Sequence, residues 1–259
     1  MRKIIDRTGC ENTNNQGQKM KIIRCRGSMD IDVEFEDGTV LCNLACKEFF
    51  NGSIKNPNYP SVYGVGIYGI GDYVCKNNGH NTEEYTRWCG IIERCYSKRF
   101  QNQNHTYKDC ILCPEWINFQ VFAQWYYDNK WDDNIQFCVD KDILLKNNKL
   151  YSPDTCVLVD VRINSLFTKT NVNRGLYPIG VFYKKENRKF VAQCSILGEV
   201  KKQQKHIGLF STPEEAFYAY KKFKESYIKQ VADEYKAKYP NFPNRLYNAM
   251  YSYEVEITD

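Results

Sequence analysis

Lys189-Phe190-Val191-Ala192-Gln193-Cys194-Ser195-Ile196 is the stretch on which the fold turns. Its residues alternate with a period of two. Phe190, Ala192, Cys194 and Ile196 take one side, and Lys189, Val191, Gln193 and Ser195 take the other. That pattern is a β-strand with one face reserved for a core. Residues 179–183 before it and 206–210 after it read as two further strands. Thr212-Pro213-Glu214-Glu215 then has the chemistry of a helix start, with Thr as cap, Pro at the first helical position and Glu in the capping box. From there Ala216, Tyr220, Phe223, Tyr227, Val231 and Tyr235 recur at helical spacing as far as Pro240. The spacing predicts a three-stranded sheet packed on one long helix.

Charge sharpens this reading. Residues 174–205 hold eight bases (Arg174, Lys184, Lys185, Arg188, Lys189, Lys201, Lys202, Lys205) against two acids, Glu186 and Glu199. That local excess of six exceeds the formal net charge of +5 on the whole 259-residue chain. A basic stripe on a sheet points to a polyanion, and a three-stranded sheet with basic ends is sized for the major groove of DNA. The candidate nucleic-acid contacts are Phe182, Lys184, Lys185, Arg188, Lys189, Gln193, Lys201, Lys202, Lys205 and His206.

The N-terminal quarter reads differently. Residues 21–60 look like strands, with Ile31, Val33 and Phe35 alternating against Asp30, Asp32, Glu34 and Glu36. Asp37-Gly38 supplies a hairpin turn. The acidic side is expected to be a solvated face, with a protein-binding surface as the sharper alternative. Residues 57–73 form a loop or linker rich in Pro, Gly and Tyr. Gly64-Val-Gly-Ile-Tyr-Gly69 matches a dinucleotide-binding pattern, but no helix opens after it and no βαβ unit surrounds it. Gly66-Ile67-Tyr68 likewise is half of a nuclease signature without its second half.

Two helices are expected in the middle. Residues 82–96 carry a stripe of Tyr85, Trp88, Cys89, Ile92, Cys95 and Tyr96, with Thr82 as cap. Pro114 opens the second, with Trp116, Phe119, Phe122, Ala123 and Tyr126 facing inward. A strand over 136–143, a turn near Asn147-Asn148 and a segment from 151 to 167 follow. The tail after Pro243 has a short alternating run, 251–257, that is expected to add an edge strand.

Composition sets outer bounds. With 42% hydrophobic residues the chain can bury a core, which excludes general disorder. No apolar run reaches the roughly 18 residues of a membrane span, and no apolar signal segment follows Met1-Arg-Lys. The expected location is therefore the cytoplasm. In that reducing setting the 12 cysteines are thiols or metal ligands rather than disulfides. Cys110-Ile-Leu-Cys113 has zinc-ligand spacing and Cys42-x-x-x-Cys46 comes near it, with Cys138 and Cys156 as a second pair for Cys110 and Cys113. Apolar surroundings favour buried thiols. Only His80, His105 and His206 are available for imidazole chemistry.

Gly180-Val181, Lys189-Phe190-Val191-Ala192, Ile207-Gly208-Leu209-Phe210, Thr212-x-Glu214-Glu215-Ala216 and Ala219-Tyr220 fall in an order that resembles the APETALA-type (ethylene-response-factor) DNA-binding domain. The resemblance implies duplex DNA bound by the exposed sheet face. The family reads bases there with arginines and tryptophans, where this sequence has Phe182, Lys184, Gln193, Ser195 and His206, so the family's target does not carry over.

The middle is similar to phage HNH-type homing-endonuclease-like proteins. The residues that carry this are Tyr85-x-x-Trp88, Arg94-Cys95-Tyr96, Tyr107-Lys108-Asp109, Cys113-Pro-Glu-Trp116, Val139-Asp140-Lys141-Asp142-Ile143, Tyr151-Ser-Pro-Asp-Thr-Cys156 and Ile163-Asn164. Such a site needs a histidine base at the end of its first strand and a divalent metal on a strand–turn–helix frame. Here Asp140-Lys141-Asp142 stands at that place, and no histidine lies between His105 and His206. Asp140, Asp142 and Asp154 are the candidate catalytic residues, as oxygen ligands for Mg²⁺.

The resulting expectation is an α+β chain in four parts. An N-terminal β hairpin unit covers 1–60, a helical, HNH-like middle 61–172, the APETALA-type unit 173–239 and a tail 240–259. The expected function is a phage-encoded, nuclease-related protein that binds duplex DNA in the host bacterial cytoplasm without efficient catalysis. The alternatives are a non-catalytic counter-defence protein that blocks a host DNA-targeting defence nuclease complex, and a Mg²⁺-dependent endonuclease. A second copy of the chain is a further candidate partner.

Overall fold

The computed structural model describes residues 5–168, 176–198 and 202–257. The chain is mixed α+β, with seven α-helices and several small sheets among the described residues. Its contacts divide it into two compact units. Met1–Gln103 and Pro114–Ala123 make one, and Asn104–Cys113 with Gln124–Asp259 make the other. The division falls inside the stretch 61–172 rather than at its ends.

The first unit opens with a four-stranded antiparallel sheet in sequential order. Its strands are β1 (Glu11–Thr13), β2 (Lys19–Gly27), β3 (Asp30–Phe35) and β4 (Val40–Leu44). The alternation in β3 is realised, with Ile31, Val33 and Phe35 buried against Met20, Ile22, Phe49 and Ile54. Strand character ends at Leu44, and the short helix α1 (Cys46–Phe50) follows where further strand was expected. The other side of β3 is not a bare acidic face. The Arg26 guanidinium bonds Asp30 at 2.6 and 2.8 Å and Asp32 at 2.6 and 2.9 Å, and Asp32 is buried beneath it.

After a hairpin of β5 (Lys76–Asn77) and β6 (His80–Asn81) comes α2 (Glu83–Tyr96), followed by α3 (Lys98–Gln103). Thr82 stands at the cap position but does not cap through its side chain; its hydroxyl donates to the Val74 carbonyl instead. Trp88 is fully buried and its Nε1 donates to the Trp116 carbonyl at 2.7 Å. The helix expected to open at Pro114 is interrupted. Pro114–Ile117 is a 3₁₀ turn, and Asn118 then accepts from the Gln120 amide to start α4 (Phe119–Asn129). All five aromatic and alanine positions predicted to face inward there are buried.

In the second unit β7 (Ile111–Leu112), β8 (Phe137–Asp140), β9 (Leu150–Tyr151) and β10 (Val157–Asp160) form two small pairs. β7 runs parallel to β9, and β8 antiparallel to β10, which leads directly into α5 (Val161–Phe167). β8 is shorter than the expected 136–143. Asp140 Oδ1 accepts from the amides of both Asp142 and Ile143 at 2.7 Å and turns the chain out of the strand.

β11 (Val181–Lys184), β12 (Lys189–Ile196) and β13 (Gln203–Phe210) form an antiparallel sheet in that order, followed by α6 (Pro213–Lys238). The capping box is present: Thr212 Oγ1 accepts from the Glu215 amide and the Glu215 carboxylate from the Thr212 amide. Ala192 and Cys194 are buried against Ala216, Phe217 and Tyr220 of α6. The helix sits this close because residue 180 is glycine. It has φ +76°, and a Cβ there would run into the Tyr220 ring. The tail does not add an edge strand. It forms α7 (Asn244–Tyr251), and Val255 then buries its side chain in the same core. The Val255 backbone is taken by side chains of α6, Glu225 accepting from its amide and Lys221 donating to its carbonyl.

Candidate nucleic-acid interface

Because α6 covers one side of the C-terminal sheet, the other side is left open. Directly paired residues share a face, so the registers assign it. At one end lie Lys184 and Lys189, which face each other across β11 and β12. The next row is Phe182, Val191 and Leu209. Beyond it Gln193 pairs with His206, and Ser195 with Gln204. The face therefore runs from basic, through apolar, to amide, imidazole and hydroxyl.

The turn 185–188 between β11 and β12 extends the basic end. Lys184, Lys185, Arg188 and Lys189 set four bases against the single acid Glu186. Lys184 lies 3.4 Å from Glu186, with both side chains exposed, so their attraction is small. Lys189 Nζ donates to Ser211 Oγ at 2.9 Å, which fixes its stem along the sheet. Arg188 adopts φ +50°, a left-handed conformation that closes the turn.

Two of the predicted contacts stand elsewhere. Lys205 is paired with Cys194, a core residue, and so occupies a register position on the helix side. Lys202 Nζ donates to the Ser165 carbonyl at 2.8 Å, which draws it towards α5. Lys201 lies outside the described residues.

The apolar row was not foreseen as a unit. It arises because the register between β12 and β13 shifts at Ala192/Gln193: Ala192 pairs with Gly208 and Gln193 with His206. Ile207 is the extra residue of a β-bulge and packs into the core. The bulge turns Leu209 out to the open face. A glycine inside a strand is the sequence signal of a bulge, and Gly208 was that signal. Phe182 and Leu209 are each 45% exposed, while Val191 between them is 3% exposed and forms the floor.

The acidic candidates of the middle do not assemble into one site. Asp140 and Asp142 line a cleft of about 410 Å³ with Lys141, Lys146, Asn164 and Tyr253, and Asp154 is not part of it. Burial pushes the Asp140 carboxyl above its usual range, although two amides oppose this. Lys141 is buried, and its Nζ donates to both Asp142 oxygens at 2.7 and 2.8 Å and to the Asn148 carbonyl at 2.5 Å. Asn148 in turn clamps the chain through the carbonyls of Lys141 and Leu150. The lysine thus organises the turn and occupies the Asp142 carboxylate. These residues do not fit a Mg²⁺ site. Among the described residues no three His, Cys, Asp or Glu side chains group so as to hold a metal ion.

The zinc candidates Cys110 and Cys113 are both buried, as is Cys156, whose thiol burial pushes up to about 12. Cys138 Sγ donates to the Val159 carbonyl across the β8–β10 pair. The four do not form a ligand set. No described helix is long and apolar enough to cross a membrane. No family model, curated protein or solved structure matches this chain.

Proposed function

We propose that this is a phage-type, nuclease-related protein that binds duplex DNA through the open face of its C-terminal sheet and is not itself an efficient nuclease. One observation carries the reading. A helix-backed, three-stranded sheet leaves one face open, with four bases clustered at its β11–β12 end and hydrogen-bonding side chains at the other. Three strands about 4.8 Å apart span roughly 10 Å, which suits a major groove about 12 Å wide. Bases at the edge would hold phosphates while the face meets the base edges. The strand order and the following helix match those expected of an APETALA-type unit, and β8 with the turn at Asp140, then β10 running into α5, supports the strand–turn–helix frame expected of an HNH-like middle. The acids of that frame are engaged by backbone amides and Lys141, which favours binding over catalysis.

The test is fluorescence anisotropy of the full chain on a labelled duplex over a salt series. Each phosphate neutralised contributes about −0.9 to the slope of log K against log salt. The variant K184Q/K185Q/R188Q/K189Q should flatten the slope by about 3–4 on that basis. Absence of binding at low salt, or an unchanged slope in the variant, refutes the reading.

The exposed Phe182 and Leu209 favour a second reading, a counter-defence protein that blocks a host DNA-targeting nuclease complex in the bacterial cytoplasm. Inhibition of such a nuclease by the chain, lost in F182A/L209A, would support it.

A further inference from the structure

We infer that the open face of the C-terminal sheet is built to read A·T pairs, with the Phe182–Val191–Leu209 row receiving thymine methyl groups and the Gln193 amide pairing with an adenine nearby along the groove. The inference rests on the proposed DNA binding and deepens it.

Thymine is the one base that presents a methyl group in the major groove, and apolar side chains recognise it by contact. Phe182 and Leu209 stand up on either side of Val191, which closes the bottom of the strip. This row is flanked by polar groups on both sides, so an apolar patch here is local and oriented. On its basic side stand Lys184 and Lys189; on the other stand Gln193 and His206.

Adenine offers an acceptor at N7 and a donor at N6, which a glutamine amide matches with one N–H and its oxygen. Gln193 Nε2 donates one hydrogen to Gln204 Oε1 at 3.1 Å, and Gln204 Nε2 donates to Ser195 Oγ at 2.7 Å. This chain fixes the plane of the Gln193 amide. Its second N–H and its oxygen are left for a base edge, because a glutamine amide has two donors and an acceptor oxygen. Guanine, by contrast, is read by a bidentate arginine or lysine. No arginine occupies the described open face. Its lysines stand at the turn end, Lys189 bonded to Ser211 and Lys184 beside Glu186. Methyl-receiving row and amide therefore occupy successive positions of the open face, Val191 and Gln193, two residues apart along β12. Two residues of strand rise about 6.7 Å, close to two base steps of about 3.4 Å, so the row and the amide reach a thymine and an adenine two steps apart.

The experiment measures anisotropy of the full chain on four duplexes of equal length: alternating A·T, alternating A·U, alternating G·C, and G·C with every cytosine 5-methylated. Replacing thymine by uracil removes only the methyl group. The A·T duplex should bind tightest, with A·U about ten-fold weaker for the lost methyl contact and G·C about a hundred-fold weaker for the loss of both contacts. F182A/L209A should bind A·T and A·U equally. Both side chains are half exposed, so truncation spares the core, and circular dichroism melting confirms that the variant is folded. Q193A should bind A·U and unmethylated G·C equally, both lacking the methyl, while keeping the thymine–uracil difference. Equal, salt-dependent affinity for all four duplexes overturns the A·T inference and leaves DNA binding standing. Preference for methylated G·C over A·T also overturns it, because a methyl contact without the adenine pair would then suffice. No binding to any duplex at low salt removes both readings and leaves a protein as the occupant of this face.

Discussion

Lys224 lies on α6 with only 7% of its surface exposed, on the side of the helix that meets the sheet. Burial pushes its pKa below the usual lysine value of 10.5, the nearby Lys202 ammonium adds to that push, and the Cys194 thiol only partly opposes it. Among the described residues no carboxylate acts on the charge. Replacing even a buried ion pair by packed apolar side chains is often neutral to stabilising by about 1–4 kcal/mol, and a lone desolvated ammonium has no partner to offset its burial cost. For a side chain that keeps slight solvent access we expect about 1–2 kcal/mol from K224M. The pH dependence follows with a definite sign. Below the folded pKa both states carry the proton and the penalty is fully present. Between that value and 10.5 the unfolded chain binds more protons, so the stability of the native protein rises with pH and the penalty fades. K224M should therefore raise the urea midpoint at pH 7, and its advantage should shrink at pH 10. Unfolding followed by circular dichroism at both pH values measures this. A K224M protein less stable than the parent at pH 7, or an advantage unchanged at pH 10, would refute the reasoning.

Three further outcomes follow from the same packing. G180A forces an unfavourable φ and drives a methyl into the Tyr220 ring, so urea unfolding should report a loss of at least about 2 kcal/mol. T212A removes the acceptor for the Glu215 amide at the start of α6 and should lower stability by about 1 kcal/mol in the same assay. Arg26 holds Asp32 down to about 2 from its usual 3.8. That stabilisation is complete above the unfolded value and is lost as pH falls through the folded one. An acid titration followed by circular dichroism should accordingly show a flatter stability profile between pH 4 and 2 for D32N than for the parent.

The sequence by itself determined the C-terminal unit almost completely. A period of two in 189–196, two flanking strands, and the Thr212-Pro213-Glu214-Glu215 start leave little freedom, because each is a local rule and all agree. The inward faces of β3 and α4 were legible for the same reason. What tertiary structure decided depended on groups distant in sequence. Arg26 reached across the sheet and neutralised carboxylates that alternation alone would leave in solvent. α6 side chains captured the backbone of 255 and kept the tail from pairing as a strand. Lys141 and the turn amides engaged the very carboxylates that a spacing argument offers to a metal. On the candidate interface, charge and alternation located the sheet, but the Ile207 bulge decided which side chains face outward. One inserted residue reverses the parity of every position beyond it, and that reversal gave the open face its apolar row.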